Sequence, residues 1–290
     1  MQSIEKLGKR FWFMTPVSDT DRPILGMVVG DEKSLMIDAG NSKAHAKLFL
    51  EMLAEKQVNH PQLVVLTHWH WDHIFGLSAL KEVLSISSVY TKAEMKKLLP
   101  LSWSDEALDK RVSDGTEIEF CSSAIKKEYV HHRDIKITLP ELTFEDKLEI
   151  DLGEVTCIVK HVGGDHAYDS VVVYIKEEKI LFLGDSIYPD IFSEKRNYTI
   201  ERTLALLEEL EKFDAETYIL SHWKPISKEE FRSEAKLLRR SAELCTHFNG
   251  DLKKITEEYE SETGRELSED EHETIEFFVN GYEMRNGLSI

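Results

Sequence analysis

The sequence predicts a layered α/β protein with a helical tail, and three observations support this. Two strand-like runs, a helix-like stretch and a further strand-like run follow one another between residues 24 and 67. Four short apolar runs end in histidine or aspartate, which places polar side chains at the ends of buried strands. Beyond residue 227 the chain is rich in Glu, Lys, Arg and Leu, a composition typical of solvated helices.

Composition limits the classes of partner. The 290 residues are 41% hydrophobic, enough to bury a large core. The net charge is −18, from 36 basic and 54 acidic residues, so attraction to a nucleic-acid backbone is not expected. No apolar run reaches membrane-spanning length, and the amino terminus lacks the pattern of a secretory leader. We therefore expect a cytoplasmic protein that acts on a small molecule, without nucleic-acid or membrane partners.

The first elements are predicted to be a strand pair, a helix and a strand. Residues 24–29 and 34–37 predict paired strands separated by a turn. Asn41 or Ser42 can cap the helix that follows. Its predicted apolar face consists of Ala44, Leu48, Phe49, Met52 and Leu53. An apolar run over 63–67 then predicts a third strand.

A dense histidine cluster follows that strand. Residues 68–73 read His-Trp-His-Trp-Asp-His, and neutral imidazole is the commonest metal ligand. Residues i and i+2 of an extended backbone point to the same side, so His68 and His70 can bind one cation. Asp72 and His73 then face a second cation. The alternative is a polar loop of solvated histidines, which the density of the cluster disfavours.

Three later apolar runs lead into further candidate ligands. The first is followed by a glycine-containing loop in which His161 and His166 compete for the role. The second ends in Gly184-Asp185, and the third leads into His222. These positions extend the local cluster into a predicted metal site that is assembled from several strand ends.

These residues resemble the signature of the metallo-β-lactamase fold superfamily, which is His-x-His-x-Asp-His followed by a later histidine, a bridging aspartate and a last histidine. The resemblance runs from about residue 24 to about residue 225. It implies His68, His70 and His166 for a first metal, Asp72, His73 and His222 for a second, and Asp185 as the bridge. The implied fold is a four-layer αββα sandwich with the metals at one edge. Asp185 stands where some antibiotic-degrading β-lactamases of this fold have a cysteine, which argues against a secreted β-lactamase. The chain is similar instead to the glyoxalase II-like and lactonase-like members.

The loop before the fourth histidine departs from the family pattern. Many relatives have Thr-Pro-Gly-His, whereas this chain has Gly-Gly-Asp-His at 163–166. His166 is favoured over His161 because it follows the glycine turn and keeps the family's distance to the next strand. Asp165 and Asp169 flank the site, either as acceptors that orient ligating imidazoles or as solvated turn residues.

The implied chemistry is hydrolysis, since a water shared by two cations loses a proton near neutral pH. Asp72 is expected to orient or deprotonate this water, as a ligand or mainly as a base. Tyr188 follows Asp185 by three residues and could donate to an oxyanion, as a similarly placed tyrosine suggests in the family's acyl-homoserine-lactone lactonases. A tyrosine packed beside Pro189 is the alternative. Zinc suits these ligands, and iron or manganese accepts similar ones.

The expected substrate is a small ester, thioester or lactone. A small phosphodiester is the alternative, which an Arg or Lys pocket near the metals would favour. A metal-binding sensor without catalysis is the non-enzymatic alternative. Redox chemistry with iron is disfavoured by His70, where flavodiiron proteins typically have a carboxylate. The candidates for an apolar substrate pocket are Trp69, Trp71, Phe75, Trp103 and Trp223, of which about half are expected in the core.

The predicted organisation is a catalytic domain over 1–226 and a helical extension over 227–290. An insertion at about 91–140 is predicted to cover the site and to carry substrate specificity. Its His131 and His132 are predicted to be surface residues. The helices of the extension are expected around 229–247, 252–260 and 269–279, with a stop at Asn249-Gly250. The extension is expected to pack on its own chain, with a homodimer as the alternative.

Overall fold

The computed structural model describes residues 2–131 and 133–287, and the strands in them form two sheets. The seven-stranded first sheet contains, in spatial order, β1 (Ile4–Leu7), β2 (Phe11–Met14), β3 (Leu25–Val29), β4 (Ser34–Ile37), β5 (Leu63–Val65), β6 (Leu84–Ser88) and β7 (Leu142–Phe144). The six-stranded second sheet contains β13 (Pro225–Ser227), β12 (Thr217–Leu220), β11 (Ile180–Gly184), β10 (Val171–Ile175), β9 (Thr156–His161) and β8 (Lys147–Asp151). The predicted strand pair is present as the antiparallel β3 and β4.

Helices cover the outer faces of both sheets. They are α1 (Lys43–Glu55), α2 (Trp71–Ile74), α3 (Val89–Leu98), α4 (Asp105–Ser113), α5 (Glu119–Glu128), α6 (Ile200–Leu210), α7 (Lys228–His247), α8 (Leu252–Thr263) and α9 (Glu269–Arg285). One apolar cluster joins the first sheet to α1, α3, α4 and α5, another joins the second sheet to α6 through α9, and a third lies between the sheets. The predicted four-layer αββα sandwich with carboxyl-terminal helices is confirmed.

Strand β10 illustrates how the sandwich buries a sequence that is apolar throughout. Its residues Val171, Val173 and Ile175 belong to the cluster between the sheets. Val172 and Tyr174 alternate with them and pack toward the helices. Both faces of this strand are covered, which explains why its sequence shows no polar alternation.

Helix α1 begins as predicted, but its buried face agrees with the predicted one only at Phe49 and Leu53. Ser42 is the N-cap and accepts a hydrogen bond from the amide of His45. The buried residues of the helix are His45, Ala46, Phe49 and Leu53. The predicted Ala44 is exposed, and Leu48 and Met52 are only half-buried. The apolar pattern did not indicate the buried face correctly, because the polar His45 occupies one of its positions.

Two segments contain more regular structure than the sequence predicted. The amino-terminal β1 and β2 extend the first sheet, but both are short and β1 has no fully buried residue, so their periodicity is weak. The segment 91–140 contains most of α3 and all of α4 and α5. Within it His131 is exposed, as predicted, whereas His132 lies outside the described residues.

The carboxyl-terminal helices agree with the sequence in position and extend further. Asn249 and Gly250 both have positive φ and follow the end of α7, as predicted from the stop signal. Helix α9 continues to Arg285, past the predicted end. Its Phe278 stacks on Tyr198 with ring centroids 5.0 Å apart. These helices therefore share a core with the second sheet.

The division into residues 1–226 and 227–290 stays a prediction, as does the homodimer alternative. Residues 1 and 288–290 of that division lie outside the described residues. Across the part of the chain that the structure describes, no helix combines the length and the apolar character needed to cross a membrane.

Candidate metal centre

The seven predicted ligands lie at one edge of the sandwich. His68 and His70 follow β5, Asp72 and His73 lie on α2, His166 lies between β9 and β10, Asp185 follows β11, and His222 follows β12. Strands β11 and β12 are parallel, and Gly184 pairs with Leu220, so the residues beyond them emerge side by side. The structure brings the seven residues together, and metal binding by them stays a prediction.

The seven side chains form two groups that meet at Asp185. The ligand atoms of His68, His70 and His166 lie within 4.8 Å of one another, and those of Asp72, His73, Asp185 and His222 do so as well. Asp185 Oδ2 lies 3.4 Å from His166 Nε2 and 3.8 Å from His68 Nε2 in the first group. It lies 3.3 Å from His73 Nε2 and 3.2 Å from His222 Nε2 in the second. This carboxylate therefore stands between the two groups.

Several potential ligand atoms of the cluster form no hydrogen bond with the described residues. The buried Nε2 atoms of His68 and His166 and the Oδ1 atom of Asp185 form no hydrogen bond within the described residues. Burying polar atoms without partners is costly. Imidazole nitrogen and carboxylate oxygen are ligands that zinc and related divalent cations accept. The residues therefore fit bound metal.

The charge states of the two groups differ. Burial lowers the pKa of His68 and His70 well below the usual range, and neighbouring histidines lower it further, so both imidazoles are neutral and able to bind metal. Burial raises the pKa of Asp185, but His222 and His73 together hold it well below its usual value. Burial lowers the pKa of His73, whereas the surrounding carboxylates leave it well above its usual value. A cation bound by the second group would therefore displace protons.

Two aspartates that the sequence analysis missed contact the Nδ1 atoms of two candidate ligand histidines. Asp38 Oδ2 lies 2.8 Å from His73 Nδ1, and Asp21 Oδ1 lies 3.3 Å from His222 Nδ1. Asp38 also accepts hydrogen bonds from the Thr67 amide at 2.7 Å and hydroxyl at 2.9 Å. Such acceptors fix the ring orientation and leave Nε2 facing the site. Asp38 directly follows β4, so the pattern of a strand ending in aspartate could have identified it.

Glycines shape the loop that delivers His166. Gly163 and Gly164 have φ values of +67° and +126°, and a Cβ on Gly164 would lie 2.7 Å from the Ser186 carbonyl oxygen. His166 Nδ1 donates to the Pro189 carbonyl at 3.2 Å. The competing candidate His161 instead donates through Nε2 to the Tyr168 carbonyl at 2.8 Å. The geometry agrees with the choice of His166.

Both predicted roles for Asp165 and Asp169 are wrong. Asp165 accepts hydrogen bonds from the Thr199 amide and the Thr203 hydroxyl at the start of α6. Asp169 is fully buried, and burial raises its pKa to about 7. Within the described residues neither carboxylate pairs with a histidine, and neither is solvated. Asp165 thus ties the His166 loop to the first turn of α6, and Asp169 is a buried carboxylate outside the cluster.

A cleft of about 350 Å³ opens onto the cluster. Tyr188 lines it, with a ring centroid 6.1 Å from that of His166, and burial raises the pKa of its phenol above the usual value. The phenol therefore stays protonated and is able to donate. The position of Tyr188 agrees with the prediction that it lies near the candidate ligands.

The aromatic residues predicted to line the cleft are mostly elsewhere. Of the five, only Trp71 is among the lining residues that the structure describes. Trp69 stacks on Phe192, with ring centroids 6.1 Å apart. Phe75 packs against Trp103, 4.7 Å between centroids, and Trp223 is 63% exposed. The apolar walls come instead from Pro16, Val17, Ile118, Phe120, Ile191 and Phe277. Ile118 and Phe120 belong to the 91–140 segment, so that segment does reach the site.

Comparisons with curated proteins place related chains among thioesterases. The chain is 27% identical over 188 residues to "Acyl-coenzyme A thioesterase MBLAC2" from Gallus gallus, covering 61% of this chain and 62% of that protein. It is 26% identical over 190 residues to the protein of the same name from Homo sapiens, covering 61% and 63%. The chain thus spans less than two thirds of the length of these relatives.

Solved structures share the fold at low identity. The sec-alkylsulfatase Pisa1 from Pseudomonas sp. superposes with a TM-score of 0.68 at 14% identity, covering 100% of this chain and 51% of that one. A metallo-beta-lactamase from Pontibacter korlensis superposes with a TM-score of 0.56 at 17% identity, covering 81% and 98%. The family model of the metallo-beta-lactamase superfamily matches residues 20–222. With the signature residues of this fold gathered at the edge of an αββα sandwich, the chain belongs to the metallo-beta-lactamase superfamily.

Proposed function

We propose that this protein is a hydrolase that uses two divalent cations, held by the seven clustered residues, to cleave an ester or thioester of a small molecule. The observation that carries the proposal is the position of Asp185 Oδ2, within 3.8 Å of four imidazole nitrogens from both groups. A carboxylate between two sets of nitrogen ligands suits a bridged pair of cations. The thioesterase name of the matched relatives supports a thioester substrate.

The two bound cations would lower the pKa of a shared water and polarise the substrate carbonyl. Asp72 holds the attacking water in place and accepts its proton, because Asp72 Oδ2 lies among the ligands, 2.9 Å from His73 Nε2 and 3.1 Å from His222 Nε2. The water oxygen bonds to the carbonyl carbon, and the bond from that carbon to sulfur or oxygen then breaks. The leaving group takes up the proton. Tyr188 donates a hydrogen bond to the carbonyl oxygen as negative charge develops on it.

The alternatives are separated by metal analysis and a substrate panel. We propose zinc as the metal, with iron or manganese as the alternatives, and metal content of protein purified without added metal distinguishes them. Ester, thioester, lactone and phosphodiester substrates are then tested on the metal-loaded and the chelated protein. We expect metal-dependent cleavage of the thioester or ester. Cleavage of the phosphodiester alone would replace the proposal, and full metal content without any cleavage would favour a sensor.

Substituting Asp72→Asn tests its role in handling the water. We expect kcat to fall about a hundredfold, while metal in the His68, His70 and His166 group is retained, because Asp72 is not part of that group. Metal stoichiometry and kcat are measured on the same preparation. Asp165→Asn is the matched control, since Asp165 is buried but bonds to Thr199. Equal losses of metal and of turnover in Asp72→Asn would remove the proposed role.

Substituting Tyr188→Phe tests hydrogen-bond donation to the carbonyl oxygen. We expect kcat to fall by on the order of tenfold to a hundredfold with little change in KM, since the donated bond strengthens as charge develops. Metal content should be unchanged. Tyr198→Phe is the control, because the Tyr198 hydroxyl is buried and donates to the Ile187 carbonyl rather than into the cleft. A wild-type kcat in Tyr188→Phe would leave Tyr188 as a packing residue.

A further inference from the structure

One basic side chain lines the cleft. Arg196 is the single Arg or Lys among the lining residues that the structure describes, and the same lining includes three carboxylates, those of Asp21, Asp72 and Asp185. The chain as a whole carries a net charge of −18, and such a field repels anions from the surface. The Arg196 side chain is therefore a positively charged group in the cleft of a protein whose net charge is strongly negative.

The Arg196 guanidinium has no partner among the described residues, although the backbone of Arg196 is held in place. In the described residues no carboxylate pairs with it, whereas Arg22 pairs with Glu128 and Arg265 with Glu271. The Arg196 carbonyl accepts a hydrogen bond from the Asn280 side chain of α9 at 3.0 Å. The flanking residues Asp190 and Asn197 form a two-hydrogen-bond bridge that closes the loop. The loop is held in place while the exposed guanidinium remains available for a ligand.

Away from the seven clustered residues, much of the cleft wall is apolar. Phe120 at the start of α5 lines the cleft and is 51% exposed. Val17, Ile118 and Phe277 line the cleft as well. Exposed apolar surface inside a cleft gains free energy when an apolar ligand group covers it. The cleft thus combines an apolar wall, the proposed metal ligands and one unpaired guanidinium.

We infer that Arg196 anchors an anionic group of the substrate, so that the substrate is an ester or thioester that joins an apolar acyl group to an anionic carrier. The inference rests on the proposed hydrolase function and names its substrate class. A guanidinium binds phosphate or carboxylate oxygens through two parallel hydrogen bonds. An anionic carrier would be repelled by the acidic surface without such a contact, so Arg196 provides selectivity for charged carriers over neutral ones.

The first test compares two thioesters that carry the same acyl group. Hexanoyl-coenzyme A has an anionic carrier, and the hexanoyl thioester of N-acetylcysteamine has a neutral one. We expect Arg196→Ala to lower the ratio of their kcat/KM values about tenfold, since one charge-assisted contact is lost. Arg196→Lys should restore part of the ratio, because it keeps the charge but not the planar fork.

The matched control is Arg232→Ala. Arg232 is also exposed and forms no ion pair with the described residues, but it lies on α7 and does not line the cleft. The ratio of kcat/KM values should remain that of the wild type in this variant. An unchanged ratio in Arg196→Ala, or an equal change in Arg232→Ala, would overturn the inference.

A binding measurement separates this inference from the proposed function. The hexyl thioether of coenzyme A cannot be hydrolysed, and its Kd is measured by calorimetry on the metal-loaded protein. We expect Arg196→Ala to raise Kd about tenfold. If the wild type binds the thioether through Arg196 but cleaves no thioester, the anchor stands and the proposed hydrolysis fails. If the wild type does not bind it, or Arg196→Ala binds it equally well, the anchor is refuted.

Discussion

Asp185→Asn is expected to reduce the metal content from two ions to about one per chain and to lower kcat by about three orders of magnitude or more. The carboxylate lies within 3.8 Å of the Nε2 atoms of four histidines. Asparagine has nearly the same size, so the change removes the negative charge and places an amide group among these nitrogens. A neutral amide neither bridges two cations nor offsets their charge. Metal analysis and steady-state kinetics on one preparation measure both effects.

A control of equal burial distinguishes this loss from a folding defect. Asp169 is fully buried and lies three residues after His166, but it does not belong to the cluster. Burial raises its pKa to about 7, so near neutral pH the carboxyl is only partly ionised, and asparagine resembles its neutral form. Asp169→Asn should therefore keep its metal and its turnover. If Asp185→Asn retained two ions per chain, Asp185 would not be the bridge between them.

The seven clustered residues could be predicted because each one follows a run that is recognisable as a strand or lies in the dense histidine motif. The end of a buried strand fixes where the next side chain emerges, so His222 and Asp185 were placed by the parallel pairing of β11 and β12. The aspartates that contact the Nδ1 atoms of the candidate ligands are harder to predict. Asp38 contacts Thr67 and His73, which are 29 and 35 residues away in sequence. Its position directly after β4 marks it as a strand-end aspartate, but the sequence does not show which distant side chains it contacts.

The walls of the cleft could not be predicted because they come from segments far from the motif. Ile118 precedes α5 and Phe277 lies on α9, and an amphipathic pattern does not indicate which part of a helix reaches the site. Proximity in sequence was also misleading, since Trp223 is adjacent to His222 but 63% exposed. The place of Arg196 in the cleft could not be predicted either. Its backbone is held by a hydrogen bond from a helix more than eighty residues further along the chain.

Asp38→Ala is expected to reduce the free energy of unfolding by about 3 kcal/mol and to weaken metal binding by about tenfold to a hundredfold. Asp38 is fully buried and accepts hydrogen bonds from the Thr67 amide and hydroxyl, while its Oδ2 lies 2.8 Å from His73 Nδ1. Alanine leaves the Thr67 amide without a partner in the core and lets the His73 ring rotate. Denaturant unfolding of the metal-free protein and metal titration measure the two effects separately.

Two further variants assign those effects to the carboxylate. Asp38 has a φ of +60°, a conformation that asparagine tolerates better than alanine, and an asparagine oxygen can still accept from Thr67. Asp38→Asn should therefore recover much of the stability but less of the metal affinity, because His73 loses its anionic partner. Asp31→Ala removes an aspartate that is 60% exposed and paired with Arg10, and it should change neither quantity by more than about 1 kcal/mol. Equal metal affinity in Asp38→Ala and the wild type would show that the histidine ring is held in place by packing alone.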